Sequence, residues 1–381
     1  MYKRILEKKI VNNFFSWKII MLLWARQIWK TTLVEKLLNE EFWDKSSICF
    51  SWDDFQDVEI LNKNSISNLS IYVEDKDIIF IDEWQKIRNI WNTLKILIDK
   101  YKNKKQIIVT GSSSINLLDL TSEALTWRKI IYNMYSISSE EIIETKDILS
   151  LNKSLENLII YWSYPDVLNK KDILEKKSTL KELANSSLYR DILEFQQVRN
   201  SDIIMKLLKL LALQIWKEVS LNELANNLWV DIKTVMRYID LLEKSFIIFR
   251  LAPYFTNKRK ELNKTNKIYF YDLWIRNSIL NDFNLLENRN DIWDLWENFL
   301  IIERIKHNTY FDKFSNNYFR RTYNGQEIDF IENYDNKLYA YEFKWWKKIQ
   351  KMPKSFKDNY VDYNYLLVNK DNYIDFITWK S

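Results

Sequence analysis

Short apolar runs alternate with amphipathic stretches over the first 140 residues of the chain. Strands are predicted at residues 19–23, 47–51, 77–82 and 106–110, because each run is short, apolar and bounded by polar positions. Lys30–Asn39 instead has its apolar residues at helical spacing. Strands that alternate with helices in this way predict an α/β fold with a parallel sheet.

The character of the chain changes after this region. Residues 145–200 are rich in Leu, Glu and Lys and predict a helical segment, and residues 204–215 predict an amphipathic helix. The last 120 residues combine a helical pattern at 295–303 with an apolar strand at 338–343. We therefore expect domains at 1–145, 146–203, 204–262 and 263–381, the second of them a helical lid.

Residues 219–238 have the pattern of a helix-turn-helix. Ser220 is the expected cap of a short helix with Glu223 as its capping-box partner, Trp229 stands at the turn, and Asp231 opens a second helix. The apolar residues of the second helix are predicted to share one face: Val235, Tyr238, Ile239 and Leu242.

The other face of that second helix would expose Lys233, Thr234 and Arg237. These side chains could contact DNA phosphates or bases. A winged helix used only for packing or for a protein partner is an equal alternative, because three polar residues do not make a basic recognition face.

The amino-acid composition excludes several classes of protein and of functional site. The chain is 47% hydrophobic and 29% charged with a net charge of +5, which indicates a folded protein and is compatible with nucleic acid without predicting it. The single cysteine, Cys49, excludes an internal disulfide, and the single histidine, His307, removes most histidine-based catalysis and metal binding. No apolar run approaches the roughly 20 residues that span a bilayer, and no signal-peptide core is present. A cytoplasmic protein with no membrane partner is expected.

The loop after the first strand has the spacing of a phosphate-binding loop. Residues 24–31 read WARQIWKT, which matches GxxxxGKS/T except that Trp24 and Trp29 replace the two glycines. The expected phosphate-binding residues are Trp24, Ala25, Arg26, Gln27, Ile28, Trp29, Lys30, Thr31 and Thr32.

Glycine is almost missing from the chain, which has 2 Gly and 17 Trp. A globular protein of this length holds about 7% glycine, roughly 27 residues, and no other residue adopts positive φ so easily. We expect Trp24 and Trp29 to represent glycines, because some bacterial lineages read UGA as glycine whereas a common translation table gives tryptophan. The same is expected at helix ends or turns, at Trp43, Trp162 and Trp229. Trp296 and Trp345 are expected to be ordinary aromatics, and a natural Trp-rich chain with an inactive loop is the alternative.

Two acids close the third apolar strand. Asp82 and Glu83 follow four apolar residues, so a parallel strand would place them beside the phosphates. Lys30 would add positive charge, Thr31 would ligate Mg²⁺ with Asp82 as its partner, and Glu83 would orient the attacking water.

The fourth predicted strand ends in small hydroxyl residues. It should lie between the two strands that carry the loop and the acids, where Ser112 or Ser113 could hydrogen-bond the γ-phosphate or the water. Such hydroxyl residues at a strand end are also common turn formers.

Nearly end to end, the chain resembles prokaryotic AAA-type ATPases that carry a C-terminal domain similar to restriction endonucleases. The segments that carry this resemblance are 24–31, 82–86, 110–114, 125–128, 161–165, 267–272, 326–330 and 341–344. The resemblance implies a three-layer P-loop domain, a helical lid, a winged-helix segment and an endonuclease-like α/β domain. It also implies glycine at positions 24, 29, 127 and 162, and an arginine that completes the nucleotide site. Arg128 is the first candidate for that arginine and Arg190 the second.

The last domain contains the pattern of a PD-(D/E)xK nuclease. Glu297 lies in the predicted helix, Asp329 follows a turn, and Glu342 and Lys344 lie two apart on a strand, so their side chains point to the same side. These residues could converge on one Mg²⁺ and an attacking water. A solvated strand face gives the same pattern.

These patterns together predict an ATP-binding and ATP-hydrolysing protein with Mg²⁺ as its metal. Two alternatives remain open: a DNA-processing nuclease gated by nucleotide, and a nucleotide-sensing scaffold that does not hydrolyse ATP. DNA is a possible partner, and the oligomeric state is left open.

Overall fold

The computed structural model describes residues 2–23, 28–62, 65–84, 87, 90–112, 125–161, 163–184, 201–255, 265–321, 326–346 and 363–378. The chain forms two compact units. The first comprises Met1–Ile137 with Lys244–Phe246, and the second comprises Ser138–Glu243 with Ile247–Ser381.

The first unit contains a five-stranded parallel sheet in the order β2-β3-β4-β1-β5. Its strands are β1 Ile19–Leu23, β2 Ser47–Ser51, β3 Ile78–Asp82, β4 Gln106–Gly111 and β5 Lys129–Asn133. Every residue of β1 and β4 is buried, as expected for apolar strands covered on both faces. β4 lies between β1 and β3, so the predicted position of the fourth strand is confirmed.

The described part of this unit contains five α-helices: α1 Leu6–Asn12, α2 Lys30–Glu40, α3 Phe55–Asn62, α4 Ile66–Val73 and α5 Ile90–Tyr101. α5 shows why these segments are helical, because Leu94, Leu97 and Ile98 repeat at helical spacing and are buried. The predicted helix after the first strand is confirmed, and it begins at Lys30.

The second unit begins with helices and continues into a sheet. Its helices are α6 Ser139–Thr145, α7 Ile148–Tyr161, α8 Pro165–Leu168, α9 Ile173–Leu183, α10 Ser201–Leu213, α11 Leu221–Leu228, α12 Ile232–Lys244, α13 Leu273–Leu280, α14 Ile292–Tyr310 and α15 Tyr373–Thr378. The described part of 146–203 is helical, in agreement with the prediction for that segment.

The strands of this unit are β6 Ile248–Pro253, β7 Lys267–Phe270, β8 Asn316–Arg321, β9 Glu327–Tyr334, β10 Lys337–Phe343 and β11 Tyr363–Val368. They form one sheet in the order β11-β10-β9-β8-β6-β7. β8, β9 and β10 are antiparallel neighbours, whereas β11 runs parallel to β10. β6 pairs with β7, so this sheet crosses the expected domain boundary at 262/263 and the boundary does not separate two folding units.

Two of the second unit's helices, α11 and α12, lie at the positions predicted for the two helices of a helix-turn-helix. Ser220 Oγ accepts a hydrogen bond from Glu223 N at 3.3 Å, and Thr234 N donates to Asp231 Oδ1 at 2.9 Å. Trp229 has φ 56°, and the amide of Val230 bonds the carbonyl of Ala225, which is a Schellman C-cap. The four apolar residues predicted to share a face of α12 are all buried.

Within the described residues, no helix combines the length and the apolar character needed to cross a bilayer.

Candidate functional site

The first unit's site lies at the carboxyl edge of its parallel sheet, where β1, β3 and β4 all end. Asp82 is the last residue of β3, and Thr31 lies in the first turn of α2, which follows β1. Thr31 Oγ1 donates to the Asp82 carboxylate, 3.0 Å from Oδ2 and 3.1 Å from Oδ1. The hydroxyl and the carboxylate predicted to hold Mg²⁺ are therefore brought together.

Lys30 is the first residue of α2 and is buried. The amides of a helix N-terminus and a lysine ammonium both favour a phosphate group at this position. Trp29 precedes the helix with φ 67° and ψ 37°, and its carbonyl accepts from Leu33 N at 2.8 Å. The backbone at position 29 thus has the left-handed conformation that glycine adopts most readily. Ile28 is buried and Thr32 is exposed.

Glu83 follows Asp82 directly and also has a left-handed backbone, with φ 50°. Its amide donates to Thr110 Oγ1 at 3.3 Å, and the same hydroxyl donates to Asp82 Oδ1. Thr110 on β4 therefore ties the two acids of β3 to the neighbouring strand. Ser112, which follows β4, is buried at the same edge. A strained backbone of this kind is often found at functional sites.

Several predicted residues lie outside the described part of the chain. They are Trp24, Ala25, Arg26, Gln27, Ser113, Trp162 and Arg190.

Arg128 lies at the opposite edge of the sheet. Its carbonyl accepts a hydrogen bond from Ile19 N at 2.8 Å, which places it beside the first residue of β1. A five-residue strand spans about 13 Å, so Arg128 is far from Thr31 and Asp82 of its own chain. Its Nε instead pairs with Asp99 Oδ1 at 2.7 Å. Within one chain Arg128 therefore lies away from Thr31 and Asp82, because it comes before β5 rather than after it. That Arg128 completes a nucleotide site stays a prediction.

Tryptophan occurs repeatedly where the backbone is left-handed. Among the described residues, thirteen non-glycine residues have positive φ, and five of them are Trp: Trp17, Trp29, Trp127, Trp216 and Trp229. Tryptophan supplies only 17 of the 381 residues, so this share is far above chance. Trp127 and Trp229 are also 90% and 94% exposed, so their indoles gain little from packing.

Other tryptophans behave as ordinary core residues. Trp296 is fully buried and packs edge to face on Trp345 with ring centroids 5.2 Å apart, as predicted for both. Trp43 does not fit its prediction, because α2 ends at Glu40 and position 43 has no positive φ. It is an exposed turn residue rather than a C′ residue.

The four predicted nuclease residues lie in the second unit. Lys344 Nζ contacts Glu342 Oε1 at 2.8 Å, and Asp329 Oδ2 accepts from Phe343 N at 2.7 Å. Glu297 lies on α14 and is buried, as expected for the helical position. The structure thus brings the side chains of Glu342 and Lys344 into contact, and their role in a nuclease site stays a prediction.

A fifth charged residue, Lys267 at the start of β7, belongs to this cluster and was not predicted. Its side chain is only 1% exposed, and its Nζ lies 3.2 Å from Glu297 Oε1 and 2.6 Å from Glu327 Oε1. Tyr269 on the same strand donates its hydroxyl hydrogen to Glu297 Oε1. In the described part of the chain, no three histidine, cysteine or carboxylate side chains are arranged to hold a metal ion.

Burial and charge shift the pKa values of this cluster. Burial raises the pKa of the Glu297 carboxyl, and the charge of Asp329 adds to that effect while Lys267 opposes it. Burial also raises the pKa of Asp329. Burial lowers the pKa of Lys267, but the nearby carboxylates outweigh this and raise it overall. Lys267 therefore carries its positive charge in the interior.

Three family models match successive parts of the chain. Residues 16–143 match an AAA domain, residues 152–285 a domain of unknown function (DUF8612), and residues 294–378 a second domain of unknown function (DUF4143). The AAA match covers the strands and the edge that hold Lys30, Thr31 and Asp82.

The chain is also similar to uncharacterised proteins of archaea and bacteria. It is 26% identical to protein MJ1637 of Methanocaldococcus jannaschii over 73% of this chain and 65% of that protein. It is 23% identical to protein Rv2008c of Mycobacterium tuberculosis over 70% of this chain and 58% of that protein. The chain thus spans about three fifths of the length of these relatives.

The solved structures that the chain matches include AMPPCP-bound DnaA from Aquifex aeolicus, 20% identical over 67% of this chain and 88% of that one, with a TM-score of 0.30. Cdc6p from Pyrobaculum aerophilum is 13% identical over 74% of this chain and 94% of that one, also with a TM-score of 0.30. Scores of this size do not establish a shared fold, so the assignment depends on the family match and the parallel sheet. On those grounds, residues 16–143 are similar to an AAA domain and form a five-stranded parallel sheet with helices within a mixed α/β protein.

Proposed function

We propose that the first unit binds ATP with Mg²⁺ and hydrolyses it. The observation that supports this most directly is the contact of Thr31 with Asp82 at the N-terminus of α2, beside the buried Lys30. These three groups carry the hydroxyl, carboxylate and ammonium that a phosphate-bound Mg²⁺ site requires.

Each residue has a separate task in this proposal. Lys30 and the first amides of α2 would hold the β and γ phosphates. Thr31 and Asp82 would hold Mg²⁺, which supplies charge neutralisation at the phosphates when bound. Glu83 would orient and deprotonate the attacking water, and a positioned base of this kind contributes about 10²–10⁴ in rate. Thr110 keeps Glu83 in place through its contact with the Glu83 amide.

We also infer that residues 24 and 29 are glycine in the natural protein. An indole at position 29 would occupy the space where phosphate must approach the backbone. The left-handed backbone of Trp29 supports glycine there.

Four tryptophans outside the phosphate-binding loop also have a left-handed backbone. Left-handed φ at Trp17, Trp127, Trp216 and Trp229 supports glycine at these four positions as well. Left-handed conformation costs a residue with a Cβ about 1–2 kcal/mol, so the five positions together cost about 5–10 kcal/mol. That sum is comparable to the whole stability of a typical domain, about 5–15 kcal/mol.

The test compares the chain as printed with a Trp24→Gly/Trp29→Gly variant. We expect only the variant to bind ATP in titration calorimetry, to need Mg²⁺ for it, and to release phosphate. Trp43→Gly is a matched control, because position 43 is exposed and has no positive φ. A glycine-restored protein without Mg²⁺-dependent ATP binding would contradict the function, and indole masses at 24 and 29 in native material would contradict the glycine inference.

The proposal does not extend to a nuclease or to DNA binding. Glu342, Lys344 and Asp329 are brought to one region, but Lys267 lies among the carboxylates that a metal would need. α12 presents Lys233 and Arg237 as exposed cations, and two cations do not form a basic recognition face. The winged helix and the cytoplasmic location remain predictions from the sequence.

A further inference from the structure

The second unit holds four carboxylates close together: Glu297, Asp329 and Glu342 are buried, and Glu327 is partly exposed. Like charges at such distances repel strongly away from water, so a group of this kind needs cations or protons. In many proteins a divalent ion supplies the charge. Here each carboxylate is contacted by a hydrogen-bond donor or an ammonium of the chain itself.

Three groups of the chain contact the four carboxylates: the Lys267 ammonium, the Lys344 ammonium and the main-chain amide of Phe343. Lys267 lies between Glu297 and Glu327 on one side. Lys344 contacts Glu342 on another side, and the main-chain amide of Phe343 donates to Asp329. The Tyr269 hydroxyl adds a further donor to Glu297.

Lys267 differs from Lys344 in its position. Lys344 is 21% exposed and reaches the cluster from its rim, whereas Lys267 is 1% exposed and extends from a strand whose four residues are all buried. A lysine buried to this degree is stable only when carboxylates surround its ammonium. The carboxylates of Glu297 and Glu327 therefore stabilise the buried ammonium of Lys267. The ammonium in turn offsets the repulsion between these two carboxylates.

We propose that Lys267 is the permanent cation of this cluster and replaces a divalent metal there. Its ammonium holds α14, β7 and β9 together through Glu297 and Glu327. The cluster is then an internal salt-bridge network, and its carboxylates are closed to metal as long as Lys267 is present.

Metal binding tests this inference, with Mn²⁺ as the probe and nucleotide-free protein. All proteins in this experiment carry Asp82→Asn, so that Mn²⁺ cannot bind to the Asp82 carboxylate of the first unit. We expect no Mn²⁺ bound to the parent protein at millimolar concentrations by electron paramagnetic resonance. Lys267→Met should bind one Mn²⁺ at a concentration at least tenfold lower than the highest one at which the parent binds none, and adding Asp329→Asn should abolish that binding.

Lys306→Met is the matched control. Lys306 is equally buried and contacts Glu303, which lies on the same helix, α14. Glu303 is not one of the four clustered carboxylates, so we expect Lys306→Met to create no Mn²⁺ site. Binding of Mn²⁺ by the parent that is lost on Asp329→Asn would overturn the proposal, since metal and Lys267 would then coexist.

If Lys267→Met is only marginally stable, Mn²⁺ binding can be measured through its effect on thermal unfolding. A ligand that binds only the folded state raises its Tm, so Mn²⁺ should raise the Tm of Lys267→Met by several degrees and leave Lys306→Met unchanged. A Lys267→Met protein that neither binds Mn²⁺ nor is stabilised by it would also overturn the proposal.

Discussion

Thr31 and Asp82 are 51 residues apart in the chain, and the Thr31 hydroxyl lies 3.0 Å from the nearer oxygen of the Asp82 carboxylate. The contact joins the first turn of α2 to the last residue of β3. Because Asp82 also accepts from Thr110, the carboxylate is held by two neighbouring elements, α2 and β4. Glu83 lies next to it, and in the proposed function Asp82 would bind Mg²⁺ while Glu83 would act on the attacking water.

The first prediction distinguishes an ATPase from a nucleotide-sensing scaffold. In the Trp24→Gly/Trp29→Gly protein, Glu83→Gln should lower kcat about 10²-fold or more while ATP affinity changes little, because the base is lost and the phosphate contacts remain. Asp82→Asn should instead weaken Mg²⁺-dependent binding. Equal phosphate release by Glu83→Gln and its parent would favour the scaffold.

The second prediction concerns Arg128. Since it lies at the amino edge of the sheet and pairs with Asp99, Arg128→Ala should leave kcat of the glycine-restored monomer within about twofold. Both partners are about one third exposed, so the loss of the pair should cost about 0.2–1 kcal/mol. Asp99→Asn should produce a similar loss in denaturant unfolding, and the double variant little more. A large fall in kcat at low protein concentration would contradict the geometry.

The first four strands of the first unit and its helix α2 were predictable because each depends on local pattern. β1 to β4 are short apolar runs, and α2 begins where the phosphate-loop spacing ends. The approach of Thr31 to Asp82 followed as well, because parallel strands bring their carboxyl ends to one edge.

Two other relationships were not predictable, because they depend on which segments become neighbours in space. Arg128 belongs to segment 125–128, which resembles the AAA-type family. Only the pairing of β5 with β1 shows that Arg128 lies at the amino edge of the sheet. Lys267 could have been noticed as a charged residue at the start of an apolar strand. Its partners, Glu297 and Glu327, are 30 or more residues away, so local pattern could not identify them.

The third prediction tests glycine-like positions through stability. Trp229→Gly should stabilise the protein by about 1 kcal/mol, because it relieves a left-handed backbone and removes an indole with almost no packing. Trp296→Ala is the contrast and should destabilise by about 3–5 kcal/mol, because that indole is in the core. Both values come from denaturant unfolding followed by circular dichroism. Destabilisation by Trp229→Gly would argue against glycine at that turn.

The last prediction concerns pH and Asp294, in the first turn of α14. Burial, with the neighbouring Asp291 carboxylate adding to it, raises the pKa of Asp294 from 3.8 to about 6. A carboxyl whose pKa is higher in the folded protein binds more protons when folded, so its contribution favours folding at low pH and is lost as pH rises from about 4 to about 6. Since Asp294 is partly exposed, the effect should be on the order of 1 kcal/mol.

Asp294→Asn removes this titration. The variant should therefore be more stable than its parent at pH 7.5, and the difference should shrink as the pH falls toward 4, in urea unfolding at each pH. Asp291 is the matched comparison, because Arg289 and Arg276 outweigh its burial and lower its pKa to about 2. Asp291→Asn should be destabilising at pH 7.5. A stability difference for Asp294→Asn that stays constant across this pH range would show that the carboxyl does not titrate there.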